Sequence, residues 1–445
     1  MLVSKRLITT SATTLDSFTV SKFSNLLSSL NKKSSTANDK KQSLATASAT
    51  PGIGTQTTTS TSIPRRSTVS AYKRSTHPTS VPLSKLFSNS FPLSVKESLE
   101  DYKLRHQPLK FQADLLSLLP FFPFPDSIGR SSEVLKVTVD DEGHYINEFV
   151  IYPPGKSRAD ESDCFHLIMI HGYGAGLGFY LKNFDKISMN SRNWIVHSID
   201  LFGYGCSSRP KFHPDNLNQV EDWFHDSFQT WMEKRNIPGD KTIIMAHSMG
   251  AYLMATYGIK RDPKFCSKLL MVSPGAVIKH RKKVSVPKYF KRLWERNISP
   301  FSIVRKAGPL GSKVVSGWSS RRFAKLTSKE SKLLHKYSYA IFQGNGSGEY
   351  MLNYLLAPGA DARHPLIERG IHKLQCDVSW WYGKEDWMDK KGGELCSNII
   401  NNTSGVPGKS DVKVIEDSGH HIYLDNIDKF NSMVIQEMQK VETQY

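Results

Sequence analysis

Short apolar runs alternate with amphipathic stretches along much of the chain. Eight runs have the length and composition of strands: 133–139, 146–152, 165–170, 194–199, 242–247, 268–273, 377–383 and 411–416. Helical patterns cover 96–119, 220–236 and 250–260. The four central runs are apolar on both faces and helical stretches separate them. This pattern predicts an α/β fold, with a mostly parallel central sheet and helices on both faces.

The interval 276–367 breaks this alternation. We interpret it as an inserted cap over the carboxyl edge of the sheet, where open α/β folds bind ligands. The predicted organisation is a leader and linker, a first core part, a basic cap and a second core part. Their ranges are 1–95, 96–275, 276–367 and 368–445.

The first 95 residues are rich in Ser, Thr, Lys and Arg and contain only two acids. Val3, Leu7 and Ile8 can share one helix face, which basic residues flank. This composition is typical of a mitochondrial targeting segment followed by a low-complexity linker. We therefore expect a mitochondrial protein, on the matrix side of the inner membrane. A basic tail without a targeting role is the alternative.

The net charge of +18 is unevenly distributed. Residues 1–95 carry +10 and residues 279–336 carry +15, so the rest of the chain is net −7. A mildly acidic body with two basic segments argues against nucleic-acid binding by the whole domain. The five cysteines form no C-x-x-C pair, and we expect no metal site and no cofactor.

The segment "IIMAHSMGAYLMATYG" contains a candidate nucleophile, Ser248. Its centre, Ala-His-Ser-Met-Gly, is close to the G-x-S-x-G nucleophile elbow. The pattern alone is weak, but here a predicted strand precedes it and a predicted helix follows it, as an elbow requires. The alternative is a serine that caps a core helix.

A serine nucleophile needs a base, and the base needs an acid that orients it. In a nucleophile-elbow enzyme the acid and then the histidine come later in the chain. Asp386 lies just past the penultimate predicted strand, with Asp389 and Glu385 as alternatives. "DSGHHIYLDN" follows the last strand, and we predict His420 as the base and His421 as its neighbour.

Two backbone N–H groups are expected to bind the oxyanion. One belongs to Met249, at the start of the helix after the nucleophile. The other belongs to Tyr173 in the glycine-rich loop "HGYGAG". Asp200, in "DLFGYGCSS", is interpreted as a structural hydrogen-bonding residue.

These motifs together resemble the α/β-hydrolase superfamily over about 134–430. Within it, "HGYGAG", "AHSMG" and "GHHIYLDN" are similar to phospholipases and lysophospholipid acyltransferases. That subgroup carries a His-x-x-x-x-Asp motif, matched here by His420 and Asp425. Asp425 either orients the His420 loop or caps the next helix. Ala246 departs from the pattern at the first glycine position of the elbow.

The leader and basic cap extend the resemblance to deacylases of mitochondrial cardiolipin. It implies a serine phospholipase that releases a fatty acid from a phospholipid ester, with cardiolipin as the expected substrate. A lysophospholipid acyltransferase is the first alternative, because both reactions pass through one acyl-enzyme. A non-catalytic lipid-binding regulator is the second, and the presence of Ser248 argues against it.

The cap segment 279–306 interleaves cations with Tyr289, Phe290, Trp294 and Phe301. Aromatic rings suit a membrane interface, and each cation near an anionic surface contributes on the order of 1 kcal/mol to binding. We expect peripheral contact with an anionic membrane. The candidate residues are Lys282, Lys283, Lys291 and Arg292. A solvated basic face is the alternative.

Overall fold

The computed structural model describes Leu86 and residues 91–189, 193–279, 286 and 288–445. Of the predicted leader and linker, residues 1–95, the structure describes only Leu86 and residues 91–95, and Lys282 and Lys283 lie outside the described residues. Within the described part of the chain, no helix is both long enough and apolar enough to cross a membrane.

An eight-stranded sheet forms the centre, in the order β1-β2-β4-β3-β5-β6-β9-β10. These strands are β1 Ser131–Thr138, β2 Tyr145–Tyr152, β3 Phe165–Ile170, β4 Trp194–Ile199, β5 Thr242–His247, β6 Lys268–Val272, β9 Asp377–Gly383 and β10 Ser410–Ile415. β2 pairs antiparallel with β1 and β4, and all other neighbours are parallel. The predicted α/β class with a mostly parallel sheet is confirmed, and each predicted strand has its counterpart.

Thirteen α-helices, besides short 3-10 helices, accompany the sheet in the described residues. They are α1 Val95–Leu104, α2 Pro108–Leu116, α3 Leu181–Met189, α4 Leu217–Lys234, α5 Met249–Lys260, α6 Lys288–Glu295, α7 Pro300–Lys306, α8 Gly311–Arg322, α9 Ser328–Gln343, α10 Leu352–Leu355, α11 Lys391–Asn402, α12 Ile422–Asp425 and α13 Ile427–Glu442. The helical region predicted over 96–119 consists of two helices, because Pro108 cannot continue a helix that needs its N–H.

The apolar core forms two layers, and β5 contributes to both. Ile243 and Met245 belong to one layer, whereas Ile244 and Ala246 belong to the other. All four side chains are fully buried. Strand side chains alternate between faces, so a strand covered on both faces has to be apolar at every position. This burial makes β5 a fixed base for the residue that follows it.

The interval between β6 and β9 contains α6 to α10 and a small hairpin, β7 Leu356–Ala357 with β8 Asp361–Ala362. This is the part of the chain assigned to a cap from sequence. Its helices α8 and α9 contact α1 and α2, respectively. The structure therefore packs the N-terminal helices of the predicted first core part against the cap.

Glu437 on α13 anchors the β10 edge of the sheet. Its carboxylate lies 2.6 Å from the Lys268 ammonium, 2.5 Å from that of Lys413 and 2.9 Å from that of Lys440. Burial raises the pKa of Glu437, but the three ammonium groups outweigh burial and lower it to about 2. Because the pKa is lower in the folded state, Glu437 stabilises the fold above the unfolded pKa and ceases to do so as pH falls towards 2.

We expect Glu437→Gln to reduce the free energy of unfolding by about 3 kcal/mol at pH 7, since a shift from 4.5 to about 2 corresponds to that amount. The deficit should shrink as pH falls below 4.5. Urea denaturation between pH 7 and pH 3.5 measures this, with Glu442→Gln on the exposed end of α13 as the control. An equal deficit at both pH values would assign the loss to packing instead of charge.

Candidate active site

Ser248 lies between β5 and α5 in a backbone conformation that L-residues rarely adopt. Its φ is 52° and its ψ is −113°. Its N–H donates to the Val272 carbonyl at 2.9 Å, and its carbonyl accepts from Tyr252 at 3.2 Å and Gly275 at 3.1 Å. A strained residue of this kind costs on the order of 1–3 kcal/mol and persists only where neighbouring contacts hold it. Those contacts are present here.

Two glycines allow the backbone to close around this turn. A Cβ atom at Gly250 would lie 2.4 Å from the His171 carbonyl oxygen. A Cβ atom at Gly172 would lie 2.7 Å from His247 Nδ1 and 3.0 Å from Ser248 Cβ. Any larger residue at either position would push the "HGYGAG" loop away from the serine.

Ala246 stands where the elbow motif has its first glycine. It lies inside β5, pairs with Ile170 and Met271 on the adjacent strands, and is fully buried. It is not among the residues with positive φ. Alanine is therefore accommodated, because this position needs ordinary strand geometry.

Ser248, His420 and Asp386 form one hydrogen-bonded chain. His420 Nε2 lies 3.0 Å from Ser248 Oγ, and His420 Nδ1 lies 3.0 Å from Asp386 Oδ1. The three residues follow β5, β10 and β9, whose carboxyl ends meet at one sheet edge. When His420 carries its proton on Nδ1, this N–H donates a hydrogen bond to the Asp386 carboxylate. Nε2 then has a free lone pair and can accept the serine proton.

Of the three candidate acids, only Asp386 contacts His420 in the described structure. Its side chain is 1% exposed. Asp389 Oδ1 instead accepts from the Lys391 N–H at 3.0 Å, at the start of α11. Glu385 is exposed. The loop after β9 thus presents one of its three acids to the histidine.

Two further histidines surround His420. The ring of His247 lies 4.9 Å from that of His420 and 5.0 Å from that of His421. His247 Nε2 donates to the His420 carbonyl at 2.8 Å. Burial lowers the pKa of His247 and of His421 well below the usual range, and the charge of Arg322 lowers both further. These rings are therefore neutral at pH 7 and do not oppose a positive charge on His420.

The predicted oxyanion donors belong to two segments that meet at the serine. Met249 opens α5, where the helix dipole also favours negative charge. Tyr173 lies in the loop whose Gly172 approaches Ser248. Neither backbone N–H has a hydrogen-bond partner among the described residues. Both donors are thus available to a substrate.

His171 and Asp200 brace this loop. His171 Nδ1 donates to the next carbonyl at 2.8 Å, and Nε2 accepts from the Leu201 N–H at 3.0 Å. Asp200 accepts from the N–H groups of Leu177 and Cys206, both at 2.7 Å. These contacts give Asp200 a structural position away from the serine.

Asp425 contacts the catalytic-histidine loop. Its Oδ2 accepts from the Gly419 N–H at 3.0 Å, directly before His420. The cap of α13 is instead Asn426, whose side chain accepts from Lys429 N–H at 3.4 Å. Asp425 thus contacts the loop that contains His420, and Asn426 caps α13.

Lys291 and Arg292 are exposed on α6. Lys282 and Lys283 lie outside the described residues, so the structure locates two of the four candidate lipid-binding cations. The described pair is separate from the Ser248 triad in sequence and belongs to the cap.

Two cap aromatics expected at a membrane interface instead face the protein. Trp294 Nε1 donates to the Leu356 carbonyl at 3.0 Å. Phe301 is 9% exposed, and its ring lies 5.3 Å from that of Tyr173. Phe301 is therefore buried, Trp294 is half-buried, and contact of this segment with a membrane stays a prediction.

Two residues beside the site escaped sequence analysis. Trp387 is 40% exposed and its ring lies 4.9 Å from that of His420. Its position directly after Asp386 was the only available signal. Arg322 contacts Asp425 across 103 residues of sequence, and no local pattern links the two.

The geometry defines the class of protein. The chain matches the model of the alpha/beta hydrolase fold over residues 166–427, more than half of its length. The strand order and the serine turn agree with that match. The chain belongs to the α/β-hydrolase family.

Its relatives include an acylglycerol-phosphate acyltransferase and a phospholipid lipase. It is 32% identical over 334 residues to a probable 1-acylglycerol-3-phosphate O-acyltransferase of Oryza sativa subsp. japonica, covering 71% of this chain and 76% of the relative. It is 30% identical to the (lyso)-N-acylphosphatidylethanolamine lipase of Homo sapiens, covering 62% and 79%. Among solved structures, an esterase from Exiguobacterium antarcticum superimposes with a TM-score of 0.49 at 16% identity, covering 68% of this chain and 98% of the esterase. The chain is thus a lipid-related member of the family, similar to both lipases and acyltransferases.

We expect Asp386→Asn to lower kcat on a soluble ester by about 10³–10⁴-fold, because an amide favours the wrong His420 tautomer. Initial rates and the rate of fluorophosphonate labelling of Ser248 measure this. Asp389→Asn is the matched control and should retain nearly all activity. A loss confined to Asp389→Asn would transfer the role of the acid to Asp389.

Proposed function

We propose that this protein is a serine phospholipase that releases a fatty acid from a phospholipid ester. The observation that carries the proposal is the Ser248–His420–Asp386 chain, with both contacts at 3.0 Å. A serine that only capped a helix would not require a hydrogen bond to a histidine that is itself hydrogen-bonded to a buried carboxylate. The lipase among the relatives supports the lipid ester as substrate class.

The reaction proceeds through an acyl-enzyme. Ser248 Oγ attacks the ester carbonyl while His420 Nε2 takes its proton, and the N–H groups of Tyr173 and Met249 hold the oxyanion. His420 then protonates the leaving lysolipid oxygen as the ester C–O bond breaks. Water attacks the acyl-enzyme with His420 again as base, and the fatty acid leaves Ser248 with its proton restored.

A lysophospholipid acyltransferase is the second candidate. In that reaction a lysolipid hydroxyl replaces water as the acceptor, and every other step is unchanged. The similarity to an acylglycerol-phosphate acyltransferase and the His420-to-Asp425 spacing favour it. Access of the acceptor to the acyl-enzyme decides between the two products.

A non-catalytic lipid-binding regulator is a third candidate. Such a protein has no need of an oriented base beside a serine with a positive φ. The complete Ser248 site therefore argues against it, and labelling with a fluorophosphonate tests it directly.

Cardiolipin is the proposed preferred substrate, and the mitochondrial inner membrane is the proposed location. Support comes from charge: the leader is basic and the cap carries +15 over residues 279–336. On α6, Lys288, Lys291 and Arg292 are exposed. A doubly anionic lipid would concentrate at such a surface, so that the cap contacts the membrane mainly through cations.

Purified protein is expected to release fatty acid from cardiolipin liposomes faster than from phosphatidylglycerol or phosphatidylcholine liposomes. Ser248→Ala should reduce release by at least about 10³-fold, because the nucleophile is lost. Chromatographic measurement of free fatty acid and lysolipid gives both quantities.

Adding lysolipid and a labelled acyl donor separates the two reactions. Transfer of label to lysolipid that exceeds free acid would favour the acyltransferase. Equal release from all three lipids would remove the head-group preference while keeping the hydrolase. Release that survives in Ser248→Ala would reject Ser248 as the nucleophile.

Charge reversal at Lys291 and Arg292 to Glu should weaken binding to anionic liposomes by about 10-fold or more, since each cation contributes on the order of 1 kcal/mol. Liposome co-sedimentation at two salt concentrations measures this. Lys390→Glu, in the loop before α11, is the control for a change of net charge alone. Unchanged binding in the double variant would exclude this part of the cap as the membrane contact.

A further inference from the structure

The carboxylate of Asp425 joins two elements that are distant in sequence. Its Oδ2 accepts from the Gly419 N–H at 3.0 Å. Its Oδ1 lies 2.7 Å from Arg322 Nη2. The side chains of Arg322 and Asp425 are 18% and 22% exposed, so the pair is largely shielded from water. One carboxylate thus holds the backbone next to His420 and a cation of the cap.

Arg322 is the last residue of the cap helix α8, and the packing of the next residue fixes its position. Phe323, which follows it, is 1% exposed and packs against Phe179. Lys325 Nζ also donates to the Asp425 carbonyl. The cap therefore supplies two cations to the end of the short helix α12, which begins two residues after His420.

The two contacts of Asp425 depend on each other. A shielded carboxylate without a cation is costly, and removal of one partner of a shielded pair leaves the other charge uncompensated. Without Arg322, Asp425 would gain from turning towards water and releasing the Gly419 N–H. Because Gly419 precedes His420, this release would loosen the histidine that contacts Ser248 at 3.0 Å.

We propose that Asp425 and Arg322 are positioning residues of the acyl-transfer site: Asp425 holds the His420 loop through the Gly419 N–H, and Arg322 of the cap orients Asp425. The proposal rests on the proposed function of Ser248 and His420. In this proposal the aspartate of the His-x-x-x-x-Asp motif positions the His420 loop while it is itself held by the cap. The placement of His420 therefore depends on the cap.

The test uses the full chain and an uncharged soluble ester. We expect Arg322→Ala to lower kcat about 10–100-fold, since a small misplacement of a catalytic group has effects of this size. KM should change by less than about twofold, because the ester has no charge for Arg322 to bind. Asp425→Asn should resemble Arg322→Ala, whereas Arg322→Lys should retain kcat within about threefold, because it keeps the ion pair.

Two further measurements distinguish positioning from other roles. The rate of fluorophosphonate labelling of Ser248 should fall in parallel with kcat, because labelling needs the same Ser–His contact. The double variant Arg322→Ala, Asp425→Ala should be no slower than Asp425→Ala alone, as expected for residues that act through one another. Lys329→Ala, an exposed lysine of the same cap, is the control and should leave kcat unchanged.

Several outcomes would overturn the proposal. Multiplicative losses in the double variant would show independent roles. An effect of Arg322→Ala on the KM for phospholipid, with labelling unchanged, would make Arg322 a head-group contact instead. If Arg322→Ala lowers the melting temperature so far that kcat cannot be measured, Arg322→Lys replaces it in the test. A folded Arg322→Lys variant whose kcat is as low as that of folded Asp425→Asn would also contradict a role of the ion pair in positioning.

This failure differs from failure of the proposed function. Activity that survives in Ser248→Ala would refute the serine mechanism itself. Activity that is lost in Ser248→Ala but intact in both Arg322→Ala and Asp425→Asn would refute only the positioning role.

Discussion

The backbone turn at Ser248 is the constraint on which the rest of the site depends. A non-glycine residue at φ 52° has to be held in place. β5 holds it from below through an apolar strand buried on both faces, and α5 continues directly from it as a helix buried on nearly every side. The turn aims the hydroxyl out of the sheet, so every other functional group is placed relative to it.

The close approach of the "HGYGAG" loop follows from that turn. Gly250 and Gly172 allow the loop backbone to lie within contact distance of the serine, and this proximity supports Tyr173 and Met249 as the predicted pair of donors. His171 and Asp200 form buried hydrogen bonds that hold this loop. His171 donates to the Gly172 carbonyl and accepts from the Leu201 N–H, and Asp200 accepts from the Leu177 N–H.

Burial and hydrogen bonding give the three neighbouring histidines different roles. Burial keeps His247 and His421 neutral, while His420 holds a carboxylate on one side and a hydroxyl on the other. The cap contributes from above: Phe301 packs on Tyr173, and Arg322 meets Asp425. The cap segment therefore contacts both the loop that contains Tyr173 and the segment that follows His420.

Local patterns in the chain determined the α/β class, the eight strands and the residues Ser248 and His420, and they limited the acid to Asp386, Asp389 or Glu385. Such features have local causes: a strand buried on both faces has to be apolar throughout, and a nucleophile elbow needs a strand before the serine and a helix after it. The tertiary structure decided which of three acids reaches His420, that Trp294 and Phe301 turn inward, and that Arg322 meets Asp425. Each of these contacts joins loops and cap helices that are distant in sequence. The direction of a side chain in such a contact follows no periodic pattern along the chain, so the sequence alone does not reveal it.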